Sequence, residues 1–304
     1  MIPILAFDSP DKCGKDTLIA AFHKATGYKY PAINRFTGTS ISYADFWNRD
    51  LDEQPYLEIE AGLFDKVLLI YLDAPQDVLA KRFKEHNEKD IKIEDMNKLK
   101  NCYGRYLDKT LLPYIEIDTS QPIEDCIKEI VDFIEKQEDE DIISKQNRLI
   151  KGIKNFGNRV ENTKELTNIE LKFKPEEIDL IAARMTEAKA WELINEEAPE
   201  YAEIFCTLNN SIRLKLNYFK SQNLNSRQFV YHSDSCLSKY QLIKRGDTLN
   251  VFVNMRSCNI AKMLIADYYG ICSIAKSLNE SYFKCKDINV TLNITSAHLY
   301  KNDW

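Results

Sequence analysis

The sequence predicts an α/β unit with a parallel sheet over residues 1–140, followed by an α+β unit with a largely antiparallel sheet and helices over 141–304. Three observations predict it. Before residue 135, apolar runs of strand length alternate with helical patterns, the order that builds a parallel sheet. Beyond residue 148, strand-length stretches alternate between apolar and polar residues, as a sheet with one buried face does. Between them lies EKQEDEDIISKQNR (135–148), a charged run without glycine. It reads as a boundary or, with equal weight, as the solvated extension of a helix.

The elements follow in order. IPILAF (2–7) is a short apolar run, SPDKCGKDT (9–17) a loop, and TLIAAFHKA has helical spacing. KVLLIYLDA (66–74) reads as a buried parallel strand, and PQDVLAKRFKEH as a helix entered through Pro75. YIEIDTSQ (114–121) is another strand. PIEDCIKEIVDFIEKQ places Ile123, Ile127, Ile130, Val131 and Ile134 on one helical face. In LNVFVNMRS (249–257), Leu249, Val251, Val253 and Met255 fall on one side, and Asn250, Phe252, Asn254 and Arg256 on the other. INVTLNITSAHLY (288–300) alternates as well, apolar at Ile288, Val290, Leu292 and Ile294.

Composition narrows the function. The chain has 304 residues, 44% hydrophobic and 29% charged, as a soluble globular protein has. A net charge of −6 gives no general basic field, so a nucleic-acid polymer is not the expected partner. No apolar run approaches the ~20 residues of a membrane span, and no secretion signal opens the chain. The eight cysteines are scattered without a C-x-x-C pair, which points to reduced thiols in a cytoplasm rather than to zinc or disulfides.

The loop SPDKCGKDT is nearly the phosphate-binding pattern G-x-x-x-x-G-K-[ST], in which backbone amides cradle phosphate, lysine neutralises charge and a hydroxyl holds Mg²⁺. Ser9 stands at the first glycine and Asp16 at the hydroxyl. FDSPDKCGKDTLI resembles the G-x-D-x-x-G-K-T-T loop of thymidylate-kinase-like and deoxynucleotide kinases. INRFTGTSISY (33–43) looks like their second motif, an Asp-Arg pair ahead of the monophosphate site, with Asn34 in place of the acidic residue. The resemblance implies a three-layer P-loop kinase fold. It implies ATP and Mg²⁺ at Asp11, Lys12, Gly14, Lys15, Asp16 and Thr17, with Asp16 as the metal ligand and Arg35 on the acceptor phosphate. Asp16 also sets a carboxylate beside phosphates, and two like charges ~4 Å apart repel by ~4 kcal/mol at an effective dielectric of ~20 unless a cation lies between them. Phosphoryl transfer, nucleotide binding without catalysis and a retained relic all stay open.

Five segments of the second part resemble the thymidylate synthase family, which includes phage deoxycytidylate hydroxymethylases. NRVENTKEL (158–166) follows R-G-x-x-T-x-E-L, with Val160 at the glycine; NSRQFV (225–230) follows N-S-R-R, with Gln228 for the second arginine. SCLSKYQL (235–242) follows the P-C-H-x-x-x-Q nucleophile segment, with Leu237 at the histidine. MRSCNIAKMLIADYYG (255–270) follows the R-S-x-D segment and its helix, with Asn259 at the aspartate that binds the folate ring; SAHLY (296–300) follows D-x-H-x-Y. Cys236 lies twenty positions before Arg256, and Arg256 eleven before Asp267, as in the family. The chain stops at Trp304, short of the final strand and tail that the resemblance leads one to expect.

What the resemblance implies has chemical sense. Carbon 5 of a pyrimidine becomes nucleophilic once a thiolate adds at carbon 6, the part of Cys236. Arg159, Arg227 and Arg256 would grip the 5′-phosphate and favour the thiolate. Ser257 and Gln241 would add contacts to the nucleotide, and His298 and Tyr300, two apart on a strand, would hold the sugar. Asp267 would accept from the exocyclic amine of cytosine, which selects dCMP or CMP over dUMP. Glu187 is the acid/base candidate, with Glu192 as the alternative. The one-carbon donor would be 5,10-methylenetetrahydrofolate, and Arg227, given across to a neighbouring subunit, would make a homodimer through the C-terminal domain. Cys258, Cys272 and Cys285 read as packing. The expectation is a cytoplasmic, phage-type 5-hydroxymethyltransferase fused to a nucleotide kinase domain. A non-catalytic nucleotide-binding protein and a kinase-only protein are the competing readings.

Overall fold

The structure, a computed structural model, describes residues 2–86, 91–138, 140–175, 199–219, 224, 227 and 229–304. The chain divides into two compact units, Met1–Glu140 and Asp141–Trp304. No helix among the described residues is long and apolar enough to cross a membrane.

In the first unit, β1 (Ile4–Asp8), β2 (Ala32–Asn34), β3 (Val67–Asp73) and β4 (Tyr114–Asp118) form a sheet ordered β2-β1-β3-β4. All its pairings are parallel. The helices are α1 (Lys15–Ala25), α2 (Thr37–Phe46), α3 (Gln54–Gly62), α4 (Gln76–His86), α5 (Met96–Lys109) and α6 (Ile123–Glu138). β3 reads VLLIYLD because a parallel strand covered on both faces needs an unbroken apolar run, and its first six residues are buried. Phe7 of β1 is fully buried and meets Phe22 of α1 edge-on at 6.3 Å, a burial that contributes roughly 2–3 kcal/mol. From β1 the chain passes to β2 on one side and later to β3 on the other. Such a reversal leaves a crevice outside the carboxyl end of β1, where open α/β sheets bind ligands.

One carboxylate braces this unit from within. Glu60 of α3 is fully buried and accepts from Thr37 Oγ1 (2.5 Å), Tyr106 Oη (2.8 Å), Thr110 Oγ1 (2.6 Å) and Leu111 N (3.3 Å). Burial pushes its pKa up while these donors pull it down.

In the second unit, β5 (Asn158–Val160), β6 (Thr163–Phe173), β7 (Val230–His232), β8 (Leu237–Arg245), β9 (Thr248–Asn259) and β10 (Asp287–Tyr300) form a sheet ordered β5-β6-β10-β9-β8-β7. Its helices are α7 (Ile142–Phe156), α8 (Pro199–Phe219) and α9 (Leu264–Leu278). The sheet is mixed rather than simply antiparallel. β9 and β10 at its centre run parallel, while their outer neighbours are antiparallel. The reason is α9, which lies between them in sequence, packs on both, and carries the chain back to the starting end. α9 is buried on nearly every side. Gly270 lets Phe205 of α8 lie against it, because a Cβ there would stand 2.7 Å from the ring.

The strict alternation expected of these strands holds only in part. In β9 the buried series Leu249, Val251, Val253, Met255 resumes at Cys258; in β10 the series Val290, Leu292, Ile294 resumes at Ala297. In β6 Leu166 is followed by Ile169, across Asn168 with φ 60°. In β8 the register shifts between Leu237 and Lys239. These slips lie at one level, since Ser296 pairs with both Thr167 and Ser257 while Leu237 pairs with Met255. An extra residue in a strand turns the following side chains to the other face. Arg256 and Ser257 therefore both stay off the core, and Cys258 enters it.

Candidate functional site

In the first unit Asp8 ends β1, residues 9–14 form the loop, and α1 begins at Lys15. Gly14 caps the helix with φ 82°, and Lys12 is also left-handed with φ 63°. Backbone of this kind gathers successive N–H groups around an anion, and the helix end adds its dipole. A cavity of about 910 Å³ lies over the loop. Its walls include Asp11, Lys12, Gly14, Lys15, Asp16 and Thr17 from the loop, together with Arg35, Tyr43, Arg82 and Thr119. The ATP-binding set expected from sequence therefore shares one cavity with Arg35.

Lys15 is half-buried; burial pulls its pKa down, and the Asp8 carboxylate opposes this. Arg35 has φ 67°, donates its N–H to Phe7 O at 3.0 Å, and reaches Asp11 at 3.7 Å. The two departures from the kinase pattern touch each other. Asn34 Nδ2 donates to Asp16 Oδ1 at 2.5 Å, which leaves Asp16 Oδ2 outside that bond. A carboxylate oxygen with nucleotide phosphate oxygens is the hard donor set Mg²⁺ takes. Among the described residues no cluster of His, Cys, Asp or Glu could hold a metal without such a ligand. Cys13 is buried in the loop, and its thiol is pushed up to about 12 by that burial, so it packs rather than reacts.

Two residues of this site were not read from the sequence. Asp8 is fully buried and accepts from Phe36 N (2.8 Å) and Thr39 Oγ1 (2.5 Å), while its Oδ2 has no partner. Gly38 of α2 permits the approach, since a Cβ there would lie 2.7 Å from Asp8 Oδ2 and 2.4 Å from Tyr106 Cε1. Arg82 of α4 donates to Lys12 O (3.2 Å), Thr119 Oγ1 (3.0 Å) and Thr119 O (2.7 Å). The available signal was a carboxylate closing an apolar strand and an arginine on the helix after β3. Neither stands out without its distant partners.

In the second unit Cys236 sits just before β8, with Sγ 3.6 Å from Ser257 Oγ. Arg256 N donates to Cys236 O at 2.8 Å. Its guanidinium is held by Ser235 O (3.1 Å) and Asp234 O (2.6 Å). Cys236, Arg256 and Ser257 are thus brought together, by the slip in β9 and the start of β8.

Asp267, in the first turn of α9, is fully buried; its Oδ2 accepts from Cys258 Sγ at 3.4 Å and its Oδ1 has no partner. Burial pushes Asp267 up to about 7 and the Cys258 thiol far above its ordinary range. Cys258 and Asp267 lie on the core side of β9, whereas Ser257 faces the other side, where Cys236 meets it. No hydrogen bond among the described residues joins the two pairs.

The remaining candidates have separate partners. His298 and Tyr300 of β10 stand edge to face at 5.3 Å, and His298 is in register with Asn259 and Glu165. Gln241 Nε2 donates to Arg227 O at 3.1 Å, and the Arg227 side chain is exposed. The Arg159 guanidinium and Lys164 Nζ lie over the Trp304 ring, at 5.7 and 5.0 Å from its centre. Glu187, Glu192 and Gln228 lie outside the described residues.

No protein-family model matches the chain, and no curated protein matches it. Among solved structures the chain is similar to the YorR protein of Bacillus subtilis, determined in complex with phosphorylated GDP. The identity is 21%, the TM-score 0.38, and the match covers 43% of this chain and 95% of that one. A likeness so remote says nothing of what this chain binds.

Proposed function

We propose that the first unit holds the phosphates of a nucleoside triphosphate and that the whole chain works on pyrimidine nucleotides. The observation that carries this is the cavity of about 910 Å³ floored by a loop with left-handed Lys12 and Gly14, ahead of Lys15 and the start of α1. The loop amides would bind the phosphate oxygens, Lys15 would offset their charge, and Arg35 would face a second, acceptor phosphate. A P-loop kinase with a three-layer architecture is the form this reading takes. Mg²⁺, held by Asp16 Oδ2 and phosphate, would spread charge over the transferring group. Calorimetric titration of the whole protein with ATP and Mg²⁺ tests it. Binding that Lys15→Met weakens by about a hundred-fold supports it, and a wild type that binds no ATP ends it. ATP turnover with dCMP or its 5-hydroxymethyl product, compared in Asp16→Thr, separates a kinase from a binding module.

A second activity is favoured by one contact, Cys236 Sγ on Ser257 Oγ beside Arg256. In this reading Cys236 adds to carbon 6 of dCMP or CMP, Ser257 and Arg256 take the phosphate, and His298 and Tyr300 the sugar. Release of Arg256 from the Ser235 and Asp234 carbonyls would have to accompany phosphate binding. The amine of cytosine would answer the unpartnered Oδ1 of Asp267, and this requires the core side of β9 to open to the base. 5,10-Methylenetetrahydrofolate would supply the one-carbon unit. A homodimer through the second unit and a cytoplasmic location belong to the same proposal. Tritium release from dCMP labelled at carbon 5, in the presence of that folate, checks it. Release abolished by Cys236→Ala is expected, whereas dCMP binding without release would leave a nucleotide-binding protein that does not turn over.

A further inference from the structure

The geometry points to Arg82 as the positioning residue of the phosphate loop, an inference that rests on the nucleotide reading of the first unit. Its guanidinium ties together three segments that are far apart in sequence. Lys12 lies beyond the end of β1, Thr119 beyond the end of β4, and α4 itself follows β3. These are the carboxyl ends of neighbouring parallel strands, the edge at which ligands enter such sheets. Thr119 is in turn fixed to the end of β3, its N and Oγ1 lying 2.8 and 3.0 Å from Asp73 O. The planar fork of arginine suits this task, since it can meet acceptors on two segments at fixed angles.

The bond to Lys12 O is the one that matters for an anion. Lys12 is left-handed at φ 63°, a conformation that a residue with a Cβ holds only when its surroundings impose it. Turning the Lys12–Cys13 peptide over leaves that φ unchanged and would aim a carbonyl into the cradle, where it would repel phosphate oxygens. Arg82 opposes the turn by holding the Lys12 carbonyl at the cavity wall. Its acceptors among the described residues are two carbonyls and a hydroxyl, none of them a carboxylate. Arg82 thus acts through the backbone of Lys12, and keeps the N–H groups turned inward before any ligand arrives.

The test uses the full chain, inorganic tripolyphosphate with Mg²⁺ as the probe, and hydrogen exchange of the amides of Cys13, Gly14 and Lys15. Arg82→Ala is expected to weaken tripolyphosphate binding roughly ten-fold, the loss of one well-placed hydrogen bond, and to speed exchange at those amides alone. Arg82→Lys keeps the charge without the fork and is expected to behave like the alanine variant. In a Lys12→Gly background, where the turned-over backbone meets no Cβ, Arg82→Ala is expected to cost more than the roughly ten-fold of the single variant. Unchanged affinity and exchange in Arg82→Ala would overturn the inference. So would exchange that rises equally through β1, β3 and β4, or full binding in Arg82→Lys. A wild type that ignores tripolyphosphate defeats the nucleotide reading, while the exchange measurement still decides the role of Arg82.

Discussion

Asp8 at the end of β1 and Asp267 in the first turn of α9 are both fully buried, yet their surroundings differ. Asp8 accepts from a backbone N–H and a threonine hydroxyl, and the Lys15 charge is near it. Asp267 accepts from a thiol, a weak donor, and burial is the cause that raises it to about 7. Burial raises both, and Asp8 has two hydrogen-bond donors and a cation opposing that rise, where Asp267 has a single thiol. A buried acid thus takes its meaning from the donors around it. Asp8 has donors and a cation that offset its burial, whereas Asp267, raised to about 7, changes state near neutrality.

The largest expected effect tests the weaker site. In the unfolded chain Asp267 loses its proton near 3.8, while in the folded chain it keeps it to about 7. Between these values the native state holds one proton more, so stability falls as pH rises through that window and is level outside it. Over about three pH units the fall amounts to as much as about 4 kcal/mol at ~1.4 kcal/mol per unit. Hydrogen exchange of the β9 and β10 amides, corrected for intrinsic rates, should show this slope, and Asp267→Asn should remove it. A level wild-type profile would erase the distinction between the two acids. Next in size, Asp8→Ala should destabilise the first unit by about 3 kcal/mol, since Phe36 N and Thr39 Oγ1 lose their acceptor. Gly38→Ala should cost about 2 kcal/mol through its contacts with Asp8 and Tyr106, and less in the Asp8→Ala background. Both are read by exchange of the α2 amides, and additive costs would show that the Asp8 contact contributes nothing. The smallest effect is Cys258→Ser, which gives Asp267 a better donor. It should lower the upper edge of its pH window and add about 1 kcal/mol at pH 8.

What the sequence revealed follows from the periods of its elements. β1, β3, β4, α1, α4 and α6 were readable because each keeps one period over its length. β2 and β7 span three residues each, too few to show a period. β6 was hidden because TKELTNIELKF changes phase at Asn168, and the parallel pairing of β9 with β10 leaves no mark in either strand. Among the candidate site residues, Lys15 and Cys236 could be singled out from the sequence because each sits in a short pattern of neighbours. Asp8 and Arg82 were not. The partners of Asp8 lie 28 and 31 residues away, those of Arg82 37 and 70 residues away, and the Arg82 acceptors are mostly carbonyls that any residue could supply.

The place of β10 has a consequence for how the second unit is assembled. It is the last strand of its sheet in chain order, yet it lies between β6 and β9, with Ile294 aligned to Ile169 on one side and Met255 on the other. Until it emerges from the ribosome, two long strands each offer an open row of amides and carbonyls to whatever passes. Synthesis of this half of the protein therefore has a vulnerable interval, and a nascent chain arrested before residue 287 should be the form that chaperones hold and that aggregates.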